Sequence, residues 1–177
     1  MNQRTGINVI VVGAGFGGLT AAIECHRQGH TVSIYESFPE LKVLGDIISF
    51  GTNAGRIFAR WGNGSVVERL KKLTIRHEGF NIRKWDTGEV AHYQPSAPDN
   101  PTAPPLHGHR GELHQVVFEY VRNELGIPIH LGQRVSEYFE EDGCAGIVLQ
   151  DGTRVRLAFY PNSHGIQRFE PDLTVNR

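Results

Sequence analysis

Gly13, Gly15 and Gly18 stand in the spacing G-x-G-x-x-G, and each glycine answers a different need of diphosphate binding. The first permits a tight turn, the second lets backbone N–H groups approach the phosphates, and the third lets a helix pack closely on the preceding strand. The diphosphate then sits at the positive end of that helix. Glu36 follows 18 residues after Gly18, where its carboxylate can accept hydrogen bonds from both hydroxyls of an adenosine ribose and repel a 2′-phosphate. Other polar residues fit their surroundings without special chemistry. His107, His109 and His114 lack a carboxylate or cysteine at ligand spacing and read as loop or cap histidines rather than a metal set. Arg56 and Arg60 lie one helical turn apart and read as a solvated helix face. Cys25 and Cys144 make no metal or redox pair, as expected of thiols in a reducing compartment.

These residues need elements to hold them. Ile7 to Val12 is β-branched and apolar, as in a central parallel strand buried on both faces. After the glycines, Leu19, Ala22, Ile23 and His26 recur at helical spacing until Gly29 offers a stop. Thr31 to Tyr35 alternates into a second strand ending on Glu36. Strand, glycine turn, helix and strand make a right-handed βαβ unit. That unit presents the same ADP site to FAD and to NAD, and leaves the choice open.

Beyond it, Leu41 to Gly51 opens onto a helix capped by Thr52 or Asn53, with Ile57, Phe58 and Trp61 buried, and a further helix carries Val66, Val67, Leu70 and Leu73. Ile75 to Tyr93 predicts strands turning at Asp86-Thr87-Gly88, with Phe80 and Ile82 on one face. Five prolines between 95 and 105 predict an extended surface loop. Leu113, Val116, Val117, Tyr120, Val121 and Leu125 stripe a helix that stops at Gly126, with Tyr120 and Phe118 in the core and its rim. Ile127 to Leu131 then returns to the parallel sheet, and Val135 to Val155 alternates as an antiparallel meander. Residues 156–177 show no sustained period and predict an irregular tail, which divides the chain into a partial nucleotide-binding domain at 1–155 and a tail at 156–177.

Four segments in order carry a family resemblance: the Val9 to Ala22 run, Ile34-Tyr35-Glu36, Gly45-Asp46-Ile47-Ile48-Ser49 leading to Asn53-Ala54, and His109-Arg110-Gly111-Glu112-Leu113-His114. Together they resemble class A FAD-dependent monooxygenases of the fungal, salicylate-hydroxylase-like type. The resemblance implies an α/β fold: a Rossmann-like FAD-binding domain of the GR2 type with an antiparallel β-meander, here incomplete. It implies that Gly13, Gly15, Gly18 and Glu36 hold the ADP half of FAD, that Gly45, Ile47 and Ser49 run beside the flavin, and that Arg110 contacts FAD. The implied activity is hydroxylation or epoxidation of a small aromatic or polyketide-like metabolite in secondary metabolism, with NAD(P)H as transient reductant and oxygen as co-substrate. The family's later motifs have no match after Val155, so no catalytic position carries over and the chain reads as C-terminally truncated. A non-catalytic FAD-binding remnant and a compact NAD-binding oxidoreductase are the alternatives.

Composition bounds the partners. The 177 residues include 18 Lys+Arg against 19 Asp+Glu for a net charge of −1, without the basic excess that holds nucleic acid. No run reaches the eighteen or so apolar residues of a membrane helix, and no secretory leader pattern opens the chain, so the cytoplasm is the expected location. A chain of this length buries about 70% of its unfolded surface without staples. The 21 glycines form clusters rather than a repeat, which excludes collagen-like readings. An incomplete parallel sheet would leave an open edge, and self-association through it is expected.

Overall fold

The computed structural model describes residues 4–41, 45–96, 98, 100–141 and 143–158. Strand β1 (Asn8–Val12) runs into the glycine turn and helix α1 (Phe16–Arg27), and β2 (Thr31–Tyr35) returns parallel to β1 with Asn8 opposite Thr31 and Val12 opposite Tyr35. Alternation sorts the strands' side chains. Val9, Val11, Val32 and Ile34 pack with Leu19, Ala22 and Ile23 of α1 in the main core, while Ile10 and Tyr35 point to the opposite face. The α1 stripe is shorter than expected, because His26 is exposed.

Strand β3 (Ile47–Phe50) leads to helix α2 (Thr52–Phe58) and, past a 3₁₀ turn at Trp61–Gly64, to α3 (Ser65–Lys72). The N-cap of α2 is Gly51, one residue before the expected cap, and it makes no side-chain capping bond. Phe58 and Trp61 are buried, but Ile57 is exposed. Strands β4 (Gly79–Arg83) and β5 (Val90–Pro95) pair as an antiparallel ribbon turning through 84–89, as the sequence predicts. Phe80 and Ile82 stay about half exposed and Trp85 at the tip is 97% exposed, with Phe80 resting against the His77 ring at 4.3 Å between centroids. The proline-rich connection is only partly a surface loop. Ala103 and Pro104 are buried, and the chain passes so close to α2 that a Cβ on Gly55 would lie 1.9 Å from the Pro104 carbonyl oxygen.

Strand β6 (Leu106–His109) pairs antiparallel with β3 and continues directly into helix α4 (Arg110–Glu119), which ends in a π-helical turn at Tyr120–Glu124. Phe118 and Tyr120 are buried, and the Tyr120 hydroxyl accepts from the Gly62 N–H at 3.0 Å. After Gly126 in the left-handed region, β7 (Ile129–His130) joins β2 in parallel. The parallel sheet therefore runs β1-β2-β7. Strand β2 is central and β1, expected to be central, forms an edge of the described sheet.

The meander of β8 (Val135–Glu141), β9 (Cys144–Leu149) and β10 (Arg154–Ala158) follows with the expected antiparallel pairing. Ile147 and Leu149 pack on Tyr35 with Ile10, Val135 and Val155 at the margin. The sheet thus has helices on one face and the meander on the other. Strand β10 continues to Ala158, three residues into the segment expected to be irregular, because Arg156 and Leu157 still pair with Gly146 and Ala145. The rest of that tail, 159–177, lies outside the described residues. Among the described residues no helix is long and apolar enough to cross a membrane.

Candidate cofactor site

The glycine turn is built by three close approaches. Gly13 adopts a φ of 96° that a side chain would resist, and its N–H donates to the Tyr35 carbonyl at 2.8 Å, tying the turn to the end of β2. A Cβ on Gly18 would sit 1.9 Å from the Gly13 carbonyl oxygen and 3.2 Å from Val11 Cγ1, so α1 rests directly on β1 only because that carbon is missing. Gly15 is the N-cap of α1 and brings no capping side chain, and the first turn carries no acidic residue. A Cβ on Gly15 or Gly17 would meet nothing within 4 Å. The helix therefore offers its unpaired first-turn N–H groups to open space, the condition for receiving an anion.

Glu36 closes this turn from the side. Its Oε2 accepts from the Ala14 N–H at 2.7 Å, and its Oε1 accepts from the Phe38 N–H at 2.9 Å and the Ser37 hydroxyl at 3.0 Å. Burial pushes the carboxyl upward, but the Ala14, Phe38 and Ser37 hydrogen bonds outweigh it and hold Glu36 below the ordinary carboxylate value. The group is ionised at neutral pH. Three of its roughly four lone-pair positions are engaged, so accepting from both hydroxyls of a ribose requires the Ser37 hydroxyl to turn away.

A cavity of about 200 Å³ opens between Gly15, Glu36 and Arg110, with Phe38, Leu41 and Phe118 among its apolar walls. Arg110 reaches it because β6 feeds α4 without a loop and because its N–H donates to the Asp46 carbonyl at 2.8 Å. Gly45, at a φ of 129°, leaves room for the arginine: a Cβ there would lie 3.0 Å from Arg110 Cβ. Of the residues singled out from sequence, Gly15, Glu36 and Arg110 line one cavity, Gly13 and Gly18 shape the turn behind it, and Gly45 touches Arg110. Ile47 and Ser49 do not reach the cavity. They are exposed along β3, opposite His109 and His107.

His114, assigned above to a loop or cap, belongs to this site. It stands four residues after Arg110 on α4, one helical turn along the same face, and its Nε2–H donates to the Ala14 carbonyl at 2.6 Å across 100 residues of sequence. Burial holds the ring below the usual histidine value; the Ala14 carbonyl opposes this and the Arg110 charge adds to it. Phe16 packs edge-on against the ring at 5.1 Å between centroids. The i, i+4 spacing from Arg110 was the available signal. Among the described residues no group of three His, Cys, Asp or Glu side chains is arranged to hold a metal.

A parallel βαβ unit with a glycine turn and a glutamate at the end of its second strand has the arrangement of a dinucleotide-binding domain. Residues 8–43 match the family described as FAD binding domain. The chain is 37% identical over 156 residues to asperlicin C monooxygenase of Petromyces alliaceus, covering 86% of this chain and 32% of that protein. It is 38% identical to the FAD-dependent monooxygenase notI of Aspergillus sp. (strain MF297-2), covering 82% and 33%. Among solved structures, FqzB superposes with a TM-score of 0.77 at 36% identity, covering 88% of this chain and 36% of FqzB. CtdE in complex with FAD and a substrate gives 0.75 at 35% identity, covering 85% and 35%. The chain is thus similar, over most of its length, to about a third of each of several fungal FAD-dependent monooxygenases. It spans about a third of the length of the curated relatives it matches.

Proposed function

We propose that the chain binds FAD through Gly13, Gly15, Gly18, Glu36 and Arg110, with Gly45 seating the arginine and Ile47 and Ser49 running beside the flavin, and that the whole protein is a cytoplasmic monooxygenase. The observation that carries this reading is the shared cavity of Gly15, Glu36 and Arg110 at an uncapped helix N-terminus. Negative phosphates fit the helix end and the guanidinium, and ribose hydroxyls fit Glu36. Bound FAD would supply transfer of electrons from NAD(P)H and activation of oxygen for insertion into a small aromatic or polyketide-like substrate. The protein's share is positional. His114 fixes α4 against the turn, so that Arg110 and the helix N-terminus converge on one ligand, and Phe38, Leu41 and Phe118 keep water from its flank.

The test is direct. Purified chain titrated with FAD should turn yellow and quench flavin or tryptophan fluorescence, with Glu36→Gln and Arg110→Ala weakening both. NAD(P)H oxidation coupled to a hydroxylated product establishes oxygenation. Yellow protein without nicotinamide oxidation limits the function to cofactor binding, and a chain that takes up NAD but not FAD overturns the flavin reading.

A further inference from the structure

Asn63 is the one residue other than glycine with a positive φ among the described residues, at 52°. It stands between Gly62 at 55° and Gly64 at 90°, so three successive left-handed residues carry the chain from the 3₁₀ turn into α3. Asparagine tolerates that region because its side chain is short and polar. The root of the turn is pinned. Trp61 is fully buried and its Nε1–H donates to Glu24 at 2.7 Å, while the Gly62 N–H donates to the Tyr120 hydroxyl at 3.0 Å. The tip is open. Asn63 is exposed, and its side-chain amide has no hydrogen-bond partner among the described residues. A Cβ on Gly64 would meet nothing nearer than the Ala59 carbonyl oxygen at 4.0 Å. Asn63-Gly64 is also the only asparagine–glycine pair in the sequence.

This arrangement suits an intramolecular reaction. The Gly64 backbone nitrogen, once it gives up its proton, can attack the Asn63 side-chain carbonyl carbon, and ammonia leaves as the new C–N bond closes a five-membered imide. Water then opens the ring at either carbonyl to an aspartate or an isoaspartate, with no oxidant, reductant or cofactor taking part. Glycine is the favourable successor because no side chain shields its nitrogen. The surroundings favour negative charge at both stages. Asn63, Gly64, Arg56 and Arg60 line one cleft of about 890 Å³, and the two arginines are exposed, with no carboxylate partner among the described residues. Glu68 lines the cleft as well but pairs with Lys71 at 2.8 Å. Gly64 is the N-cap of α3 and brings no capping side chain, so the first N–H groups of that helix add to the positive potential. Nearby positive charge favours the ionised nitrogen on the way and the carboxylate at the end. We infer that Asn63 is a modification site that converts itself, cyclising onto Gly64 and opening to a carboxylate within the Arg56–Arg60 cleft. Nothing in this chemistry depends on flavin binding.

The experiment incubates the full chain in native buffer and follows its tryptic peptide 61–69 by mass spectrometry. A gain of one mass unit in that peptide, resolved by chromatography into aspartyl and isoaspartyl forms, is the expected result. The ionised fraction of a weakly acidic nitrogen rises about tenfold per pH unit below its pKa, and conversion should quicken by that factor from neutral to mildly alkaline buffer. Asn53, Asn81 and Asn123, followed by Ala54, Ile82 and Glu124, are the internal controls and should stay unchanged over the same time. The acidic form, isolated by ion exchange, should show shifted Nε–H resonances of Arg56 and Arg60 by NMR. Conversion no faster than that of the control asparagines, conversion to aspartate alone, or conversion only when the chain is unfolded in urea would overturn the site. Arginine resonances identical in the two forms would overturn the placing of the carboxylate.

Discussion

Alanine at three glycines of one turn should give three separate phenotypes. At Gly18 the new methyl meets the Gly13 carbonyl oxygen at 1.9 Å, well short of the ~3.3 Å at which carbon and oxygen ordinarily touch. The obstacle is backbone, so α1 must move by more than an ångström, yet Leu19, Ala22 and Ile23 on that helix are fully buried. Overpacking of this kind costs about 1–3 kcal/mol, or roughly 2–12 °C in Tm for a domain of this size. At Gly15 the methyl enters open space and stability should hold, but it occupies the approach to the helix N-terminus, so FAD affinity should fall. Gly17, exposed in the first turn of α1, also meets nothing; alanine there should be neutral or stabilising by up to about 1 kcal/mol. Thermal unfolding and FAD titration of the three variants separate these outcomes. A Gly18→Ala protein as stable as wild type, or a Gly15→Ala protein with unchanged FAD affinity, would refute the reading of the turn.

Glu36→Gln replaces an acceptor with a group that must turn an NH₂ toward the Ala14 or the Phe38 N–H. FAD affinity by fluorescence quenching should drop roughly tenfold to a hundredfold, the ~1.5–3 kcal/mol of a charged hydrogen bond. Neutral His114 stabilises the fold most fully above pH 6.5, its usual value, and the contribution should be lost as pH falls toward its lowered folded value; unfolding midpoints between pH 7 and 5 should decline more steeply in wild type than in His114→Gln. Trp85→Lys, at a 97% exposed tip, should leave Tm unchanged and reduce self-association in sedimentation velocity. A matching sedimentation profile would shift the adhesive surface from the ribbon to the open edge of β1.

The nucleotide half of the fold was legible because each local cue agreed with the tertiary structure. The apolar run, the glycine turn, the 3.6-residue stripe and the alternating strand all describe one βαβ unit whose contacts are near in sequence. Glu36 and Gly18 take their expected places around the turn for the same reason. Legibility failed where distant segments decide. Phe80 and Ile82 alternate as a buried face would, but burial depends on what lies over them. Pro104 sits in a stretch whose composition signals surface, and only its docking on Gly55 reveals a buried turn. The edge position of β1 depends on β7 choosing β2 as neighbour, and no feature of Ile129 or His130 encodes that choice. His114 escaped because its partner is the Ala14 backbone carbonyl, and its one-turn spacing from Arg110 was the single cue in the sequence.

The bond from His114 to the Ala14 carbonyl joins the two walls of the cavity between Gly15, Glu36 and Arg110 across most of the chain. Contacts of such separation form late in folding, after the intervening loop has closed. A ligand gripping both walls acts on the same closure, and at a hundredfold excess over its Kd it raises the apparent stability by about 2.7 kcal/mol. Flavin supply would then govern how long this chain survives proteolysis in the cell, so that riboflavin starvation should deplete the protein before it limits any reaction.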